Sequence, residues 1–154
     1  SDAVMRTRNS VFPFDGFPLY VDYNYRLVDE RMLSLAKMKA TVFFRTNEHR
    51  YRSVFRRYAT RKYRCKPSAV HFDSTAESER RIRNAVLVSD PSCYGITNGF
   101  VIEISDCMPM GFDQLVGTLV HEALHCFCRV RGRWLPTSAE HHCMRVLGED
   151  ADTT

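Results

Sequence analysis

Residues 112–127, FDQLVGTLVHEALHCF, decide the fold because they join an apolar helical stripe to two histidines one turn apart. The apolar side chains recur at helical spacing, at Leu115, Leu119, Ala123 or Leu124, and Phe127. Such spacing is typical of a largely buried α-helix. Because residues four apart lie on one helical face, His121 and His125 can bind a single metal ion together. We therefore predict a buried helix whose two histidines face a cleft.

Glu122 completes the pattern His-Glu-x-x-His, in which each residue type has a chemical task. The two histidines supply neutral imidazole ligands to zinc, and the glutamate beside them can accept a proton from a water that the metal activates. The pattern predicts Zn²⁺ as the cofactor and a zinc-dependent metallopeptidase, a hydrolase of peptide bonds, with Glu122 as general base. The pattern leaves one alternative open, a core helix with two hydrogen-bonded histidines.

A third zinc ligand is expected on the last predicted helix, because catalytic zinc takes three protein ligands and a water. Residues 136–144, PTSAEHHCM, contain the candidates. At about 100° per residue, Glu140 and His142 flank the apolar arc around Cys143, whereas His141 faces away from it. We therefore predict that Glu140 or His142 is the third ligand.

Other roles remain open for the polar residues near this site. Glu140 can instead cap its own helix, since Thr137-Ser138-Ala139-Glu140 is a capping box in which the glutamate reaches back to the backbone of Thr137. Donors of a hydrogen bond to the transition state are expected among His142, His141 and Tyr94.

Length and composition suit one folded catalytic domain. The chain has 154 residues, of which 44% are hydrophobic, and this is enough for a sizeable core. No apolar stretch approaches the ~20 residues that a membrane-spanning helix needs, so no membrane contact is expected. We predict an aromatic-rich arm over residues 1–26, a single catalytic domain over residues 27–148 and an acidic tail over residues 149–154.

The order of predicted elements indicates an α+β fold. Helical patterns cover residues 30–46 and 48–63, either as two helices or as one continuous helix, and short strands are predicted at 69–72, 85–88 and 99–105. The helix of the His-Glu-x-x-His pattern follows, and a final helix covers residues 138–147. A small sheet packed on the metal helix accommodates this order.

The six cysteines bear on the redox compartment in which the protein would reside. None forms a Cys-x-x-Cys pair, so a zinc ribbon is not expected. Buried free thiols suit a reducing, intracellular compartment. A disulfide between Cys93 and Cys107 is the open alternative.

The segment Arg45–Lys66 carries nine basic residues against one acidic residue, Glu48, in a chain whose formal net charge is +4. Aromatic residues alternate with the cations, which is the combination that binds phosphates and bases of nucleic acids. The same pattern suits a solvated helix whose aromatic side chains reach the core. The rival to the peptidase is therefore a nucleic-acid- or protein-binding module, with a structural or vestigial zinc site that Cys126 or Cys143 would complete.

The chain resembles the SprT-like (Spartan-type) metallopeptidases and, more broadly, the minimal gluzincins. The resemblance covers about residues 70–148. It consists of the segment Tyr94-Gly95-Ile96-Thr97-Asn98-Gly99, the strand at 100–105, the segment Leu119-Val120-His121-Glu122-Ala123-Leu124-His125, and a closing helix with Met144 and Val146-Leu147-Gly148.

This resemblance implies a zincin-like fold, a zinc ion on His121 and His125, Glu122 as the base, and a protein or peptide substrate. Spartan-type enzymes act on proteins bound to DNA, and the basic segment would suit that. SprT-like proteins usually place their third histidine in a His-Gly pair, and here that region reads Leu135-Pro136-Thr137-Ser138. A glutamate ligand on the closing helix would look more like a gluzincin.

Overall fold

Helix α1, Glu30–Tyr63, is the longest element of the computed structural model, which describes residues 25–152, with side chains described as far as Leu147. Asp29 caps the helix by accepting a hydrogen bond from the backbone N–H of Met32 at 2.8 Å. The helix ends at Arg64, whose left-handed backbone (φ 50°) stops it. The two predicted helical segments are therefore one continuous helix. The predicted arm over residues 1–26 lies, except for its last two residues, outside the described part of the chain.

Two small three-stranded sheets and three further helices complete the described fold. Strands β1 (Val70–Phe72), β5 (Cys128–Val130) and β6 (Arg133–Trp134) form an antiparallel sheet in the order β1-β5-β6. Strands β2 (Val86–Val88), β3 (Gly95–Thr97) and β4 (Ile102–Ser105) form the other sheet in the order β2-β4-β3. In it β2 pairs parallel to β4, and β3 pairs antiparallel to β4. The α+β class is confirmed, with two sheets where one was predicted.

Helix α2, Thr75–Arg83, was not predicted, and it begins after Ser74, whose hydroxyl accepts from the N–H of Glu77 at 3.1 Å. Helix α3, Phe112–Leu124, is the predicted metal helix, and it ends at His125 rather than continuing to Phe127. Helix α4, Thr137–Asp152, continues past Leu147 into the predicted acidic tail. No helix in the described part of the chain is long and apolar enough to cross a membrane.

The hairpin β5–β6 lies between α3 and α4, where no strand was predicted. Arg131 (φ 54°) and Gly132 (φ 78°) form its two-residue loop, and both adopt positive φ. Two positive φ values define the turn whose twist matches paired antiparallel strands, and glycine favours the second position. The dipeptide Arg-Gly was thus the signal for a hairpin, and the strands on either side are too short for alternation to be visible.

The core lies between α1 and α3, with Phe127 near its centre. The ring of Phe127 meets Phe44, Phe55 and Phe72 at centroid distances of 5.6, 5.7 and 5.0 Å. Tyr51 contributes a further edge contact at 6.5 Å. Phe127 follows α3 directly, so this aromatic cluster fixes the end of the metal helix against α1.

Strand β3 packs against α3 at Gly95, where a side chain has no room. A Cβ atom there would lie 2.7 Å from Cγ2 of Thr118, 3.3 Å from Cδ1 of Ile104 and 3.4 Å from Cγ of Glu122. Glycine therefore allows the strand to approach the helix beside Glu122.

We predict that Gly95→Ala destabilises the protein by about 1–3 kcal/mol, because an added methyl group overpacks a filled core. Thr118→Ser removes the nearest carbon atom and keeps the hydroxyl that bonds to the carbonyl of Gln114 at 2.8 Å. The double variant Gly95→Ala/Thr118→Ser should therefore lose less free energy of unfolding than the two single variants lose together. Urea unfolding of the wild type and the three variants measures this coupling. If the losses of the two single variants sum to the loss of the double variant, the packing described here is contradicted.

Candidate metal centre

Three histidines converge at the junction of α3 and α4. His121 lies in the last turn of α3, and His125 is the residue at which that helix ends. His141 comes from the first turns of α4. One ligand nitrogen from each ring lies within 4.8 Å of the other two. Nε2 of His125 lies 3.2 Å from Nε2 of His121 and 3.2 Å from Nε2 of His141.

The spacing of these nitrogens fits a tetrahedral zinc site. Zinc–imidazole bonds of about 2.0–2.1 Å place two ligands of a tetrahedron about 3.3–3.4 Å apart, close to the two distances above. His121 is buried, and the side chain of His125 is 9% exposed. Three histidines are one of the donor sets that hold zinc with an open position, and His125 lines a cleft. The residues present therefore fit a zinc ion.

Glu140 fixes the orientation and the tautomer of His125. Its Oε1 lies 2.7 Å from Nδ1 of His125, and its side chain is 3% exposed. When Nδ1–H donates to this carboxylate, Nε2 carries the lone pair of His125 and turns it toward the other two histidines. One lone pair cannot accept two good hydrogen bonds at once, whereas lone pairs that converge from three rings suit a cation.

The structure brings His141 to the third corner of the cluster. It places Glu140 behind His125, and His142 outside, exposed and 5.4 Å from the ring of Tyr58 between centroids. Glu140 therefore contacts the ring of His125, whereas the sequence suggested direct ligation or a helix cap for this residue.

Helical phase did not bring His141 forward because the predicted arc around Cys143 left out Met144, which is buried. With Met144 included, the arc extends by several tens of degrees toward His141, which then lies about 60° beyond its edge. Glu140 still lies inside this arc, and His142 lies at a similar angle beyond its other edge. Helical spacing alone therefore could not have selected His141.

Glu122 is 1% exposed and lines a cleft of about 250 Å³ together with His125 and Glu140. The cleft brings Glu122 and His125 to one opening, and the role of Glu122 as a base stays a prediction. Its other walls come from β3 and its turn, from the hairpin and from the start of α4: Thr97, Asn98, Gly99, Cys126, Trp134, Leu135 and Thr137. Tyr94 packs at the edge of the core and is not among these residues, so its role as a donor stays a prediction.

A buried charge network supports the outer wall of the cleft. Asp73 pairs with Nη2 of Arg81 at 3.1 Å and with Nη1 of Arg129 at 2.6 Å. Arg81 also donates to the carbonyl of Gly99, and the guanidinium of Arg129 lies 4.8 Å from the ring centre of Trp134.

Gly99 and Trp134, the two ends of this network, touch each other. Gly99 adopts a φ of +95°, and a Cβ there would lie 2.5 Å from the indole ring of Trp134. The ion pairs of Asp73 with Arg81 and Arg129 therefore fix the position of this wall of the cleft.

The cysteines do not join the histidine cluster within the described residues. All six are free thiols, Cys93 and Cys107 included, and the metal-competent group contains no sulfur. Burial raises the pKa of Cys128 and Cys143 to about 12, and it also raises the pKa of Cys126.

Comparison of the chain with protein-family models, with curated proteins and with solved structures finds no match in any of the three. Kinship with the SprT-like metallopeptidases or with the gluzincins therefore stays a prediction that rests on the motif residues.

We predict that His141→Ala lowers zinc affinity far more than Glu140→Gln, because the first change removes a donor and the second only a partner of His125. Outer partners of metal-bound histidines typically contribute about 10–100-fold to affinity. His142→Ala, at the next position of the same helix, is the matched control and should retain wild-type affinity. Competition with a zinc chelator measures all three. A larger loss in His142→Ala than in His141→Ala would contradict the assignment.

Proposed function

We propose that the protein is a zinc-dependent metallopeptidase in which His121, His125 and His141 bind the metal. One observation carries the proposal. Three imidazole nitrogens converge, and His125 lines the same cleft as the buried Glu122. The pattern His-Glu-x-x-His supplies two of the donors and the base, and α4 supplies the third donor. This assignment replaces Glu140 and His142 of the sequence prediction.

The number of ligands favours catalysis over a structural role. Structural zinc sites normally have four protein ligands, whereas catalytic sites have three and an open position. The described residues contribute three histidines and no fourth side chain to the group. The rival, a binding module with a closed zinc site, needs a fourth protein ligand, for example Cys126 or Cys143. Cys126 instead lies with its Sγ 3.6 Å from the hydroxyl of Thr97.

Each polar residue of the site has a distinct task in the proposed reaction. A zinc ion bound by the histidines would act as a Lewis acid and lower the pKa of a water ligand from 15.7 to about 7. Glu122 would accept the proton of the attacking water and pass it to the leaving amine. Glu140 would hold the ring of His125 in the tautomer whose Nε2 faces the cluster.

The cleft favours an extended peptide segment as the substrate. A cleft of about 250 Å³ accommodates a few side chains but no folded domain. Backbone of the turn Asn98–Gly99 lies on its wall, and Phe100 at the same turn is 80% exposed. Exposed apolar surface beside a polar cleft suits an unfolded polypeptide. A non-peptide amide would use the same chemistry and is the alternative substrate class.

The expected test of the base is Glu122→Gln, a change that preserves shape and removes the proton acceptor. We predict about one zinc per chain in this variant and a loss of turnover by at least about 100-fold, since general-base catalysis typically contributes 10²–10⁴-fold. Glu103→Gln, on strand β4, is the matched control and should keep full activity. The assay follows cleavage of fluorescently labelled, unfolded casein by the zinc-loaded proteins.

Wild-type turnover in zinc-loaded Glu122→Gln would exclude the general-base role. Absence of cleavage in the zinc-loaded wild type, over a panel of unfolded proteins and peptides, would favour the binding module instead.

A further inference from the structure

A second cavity, of about 520 Å³, lies between α1 and α4 on a different face of α4 from the histidine cluster. One wall is apolar and contains Val54, Cys143 and Val146. The rings of Tyr58 and His142 form a second surface, with their centroids 5.4 Å apart. The proposed peptidase reaction uses none of these residues.

Three cations line the rim of this cavity, and no carboxylate among the described side chains neutralises them. Arg57, Arg61 and Lys62 are all exposed. Among the described residues no aspartate or glutamate forms an ion pair with any of them, and no acidic residue lines the cavity. Three positive charges on one turn of helix repel one another, and an anion in the cavity would relieve that repulsion.

Three other cations of the basic segment make contacts away from the cavity, whereas Arg64 and Lys66 at its end are exposed. Arg45 pairs with Glu79, and Arg52 pairs with Glu48 at 2.6 Å. Arg50 donates to the carbonyl of Leu147 at 3.3 Å. Part of the basic segment predicted from the sequence is therefore taken up by contacts away from the cavity.

Arg56 supports the same conclusion. Its guanidinium lies 5.1 Å from the ring centre of Phe72, on the far side of α1 from the cavity cations. Arg57, Arg61 and Lys62 place three positive charges around one cavity, and this arrangement suits a compact anion.

We propose that this cavity binds a free mononucleotide, with its phosphates on Arg57, Arg61 and Lys62 and its base on the Tyr58–His142 surface. The volume lies within the range of small-molecule sites and holds one nucleotide. Arginine binds phosphate oxygens through charged hydrogen bonds, and an aromatic face stacks on any base. The site is independent of the proposed peptidase activity.

The test is calorimetric titration of the zinc-loaded, full-length protein with ADP at physiological salt. Inorganic pyrophosphate, adenosine and a ten-nucleotide single-stranded DNA are titrated in parallel. We expect saturable binding of ADP in the micromolar range, and binding at least tenfold weaker for pyrophosphate and for adenosine. The DNA should bind no more tightly than ADP.

Variants locate the site. Arg57→Gln and Arg61→Gln should each weaken ADP binding roughly tenfold to a hundredfold, the value of a charged hydrogen bond. Arg31→Gln removes the same charge from an exposed position on the same helix and should change nothing. Tyr58→Leu should weaken ADP binding about tenfold, whereas Tyr58→Phe keeps the ring and should bind as the wild type does. Circular dichroism checks that each variant is folded.

Four results would overturn the proposal. The first is no saturable binding at millimolar ADP, and the second is an equal effect of Arg31→Gln and Arg57→Gln. The third is pyrophosphate binding as tight as ADP binding, which would mean a plain anion site. Tighter binding of the DNA than of ADP is the fourth, and it would assign the cavity to a nucleic-acid strand.

Discussion

The contact between Glu140 and His125 is the interaction on which the candidate site depends. It joins the first turns of α4 to the end of α3 at 2.7 Å, and it fixes the ring of the histidine that is central to the cluster. A buried carboxylate is costly unless a hydrogen-bond partner compensates it, so this pair also defines how α4 packs. The position of His141 follows from it, because His141 is the next residue of the same helical turn.

The scaffold around that contact is built mainly by α1. This helix buries Phe44, Tyr51 and Phe55 against Phe127, the residue that follows the metal helix by one turn. The closest packing of the second sheet on α3 is at Gly95, beside Glu122. The aromatic cluster packs near the end of α3, and strand β3 packs against the helix at Gly95. Both supports are rigid, as a site that must position a base and three ligands requires.

The sequence predicted those parts of the fold whose signals are local and periodic. The α+β class, the long basic helix, the metal helix and strands near β1, β2 and β4 all follow from hydrophobic spacing over several residues. The hairpin β5–β6 did not, because its strands are too short to show alternation and its turn depends on the φ angles of Arg131 and Gly132. Residues 1–24 lie outside the described structure, and so does most of the predicted arm.

For the candidate site, the sequence could not predict how separate helices pack against each other. His121, Glu122 and His125 share one helix, and their spacing alone brought them together. The choice among Glu140, His141 and His142 depends on the rotation of α4 against α3, which Met144 and the buried Glu140 set through tertiary packing. In the same way, net charge described the basic segment correctly but could not distinguish the paired Arg45 and Arg52 from the cations of the cavity.

X-ray absorption spectroscopy of the zinc-loaded protein tests the central claim most directly, because it counts and identifies the atoms that bind the metal. The account predicts a first shell of nitrogen and oxygen only, at about 2.0–2.1 Å, with the outer scattering of three imidazole rings. A sulfur atom at about 2.3 Å would place a cysteine on the metal and favour a structural zinc site. A folded protein that retains no zinc would contradict the metal centre altogether.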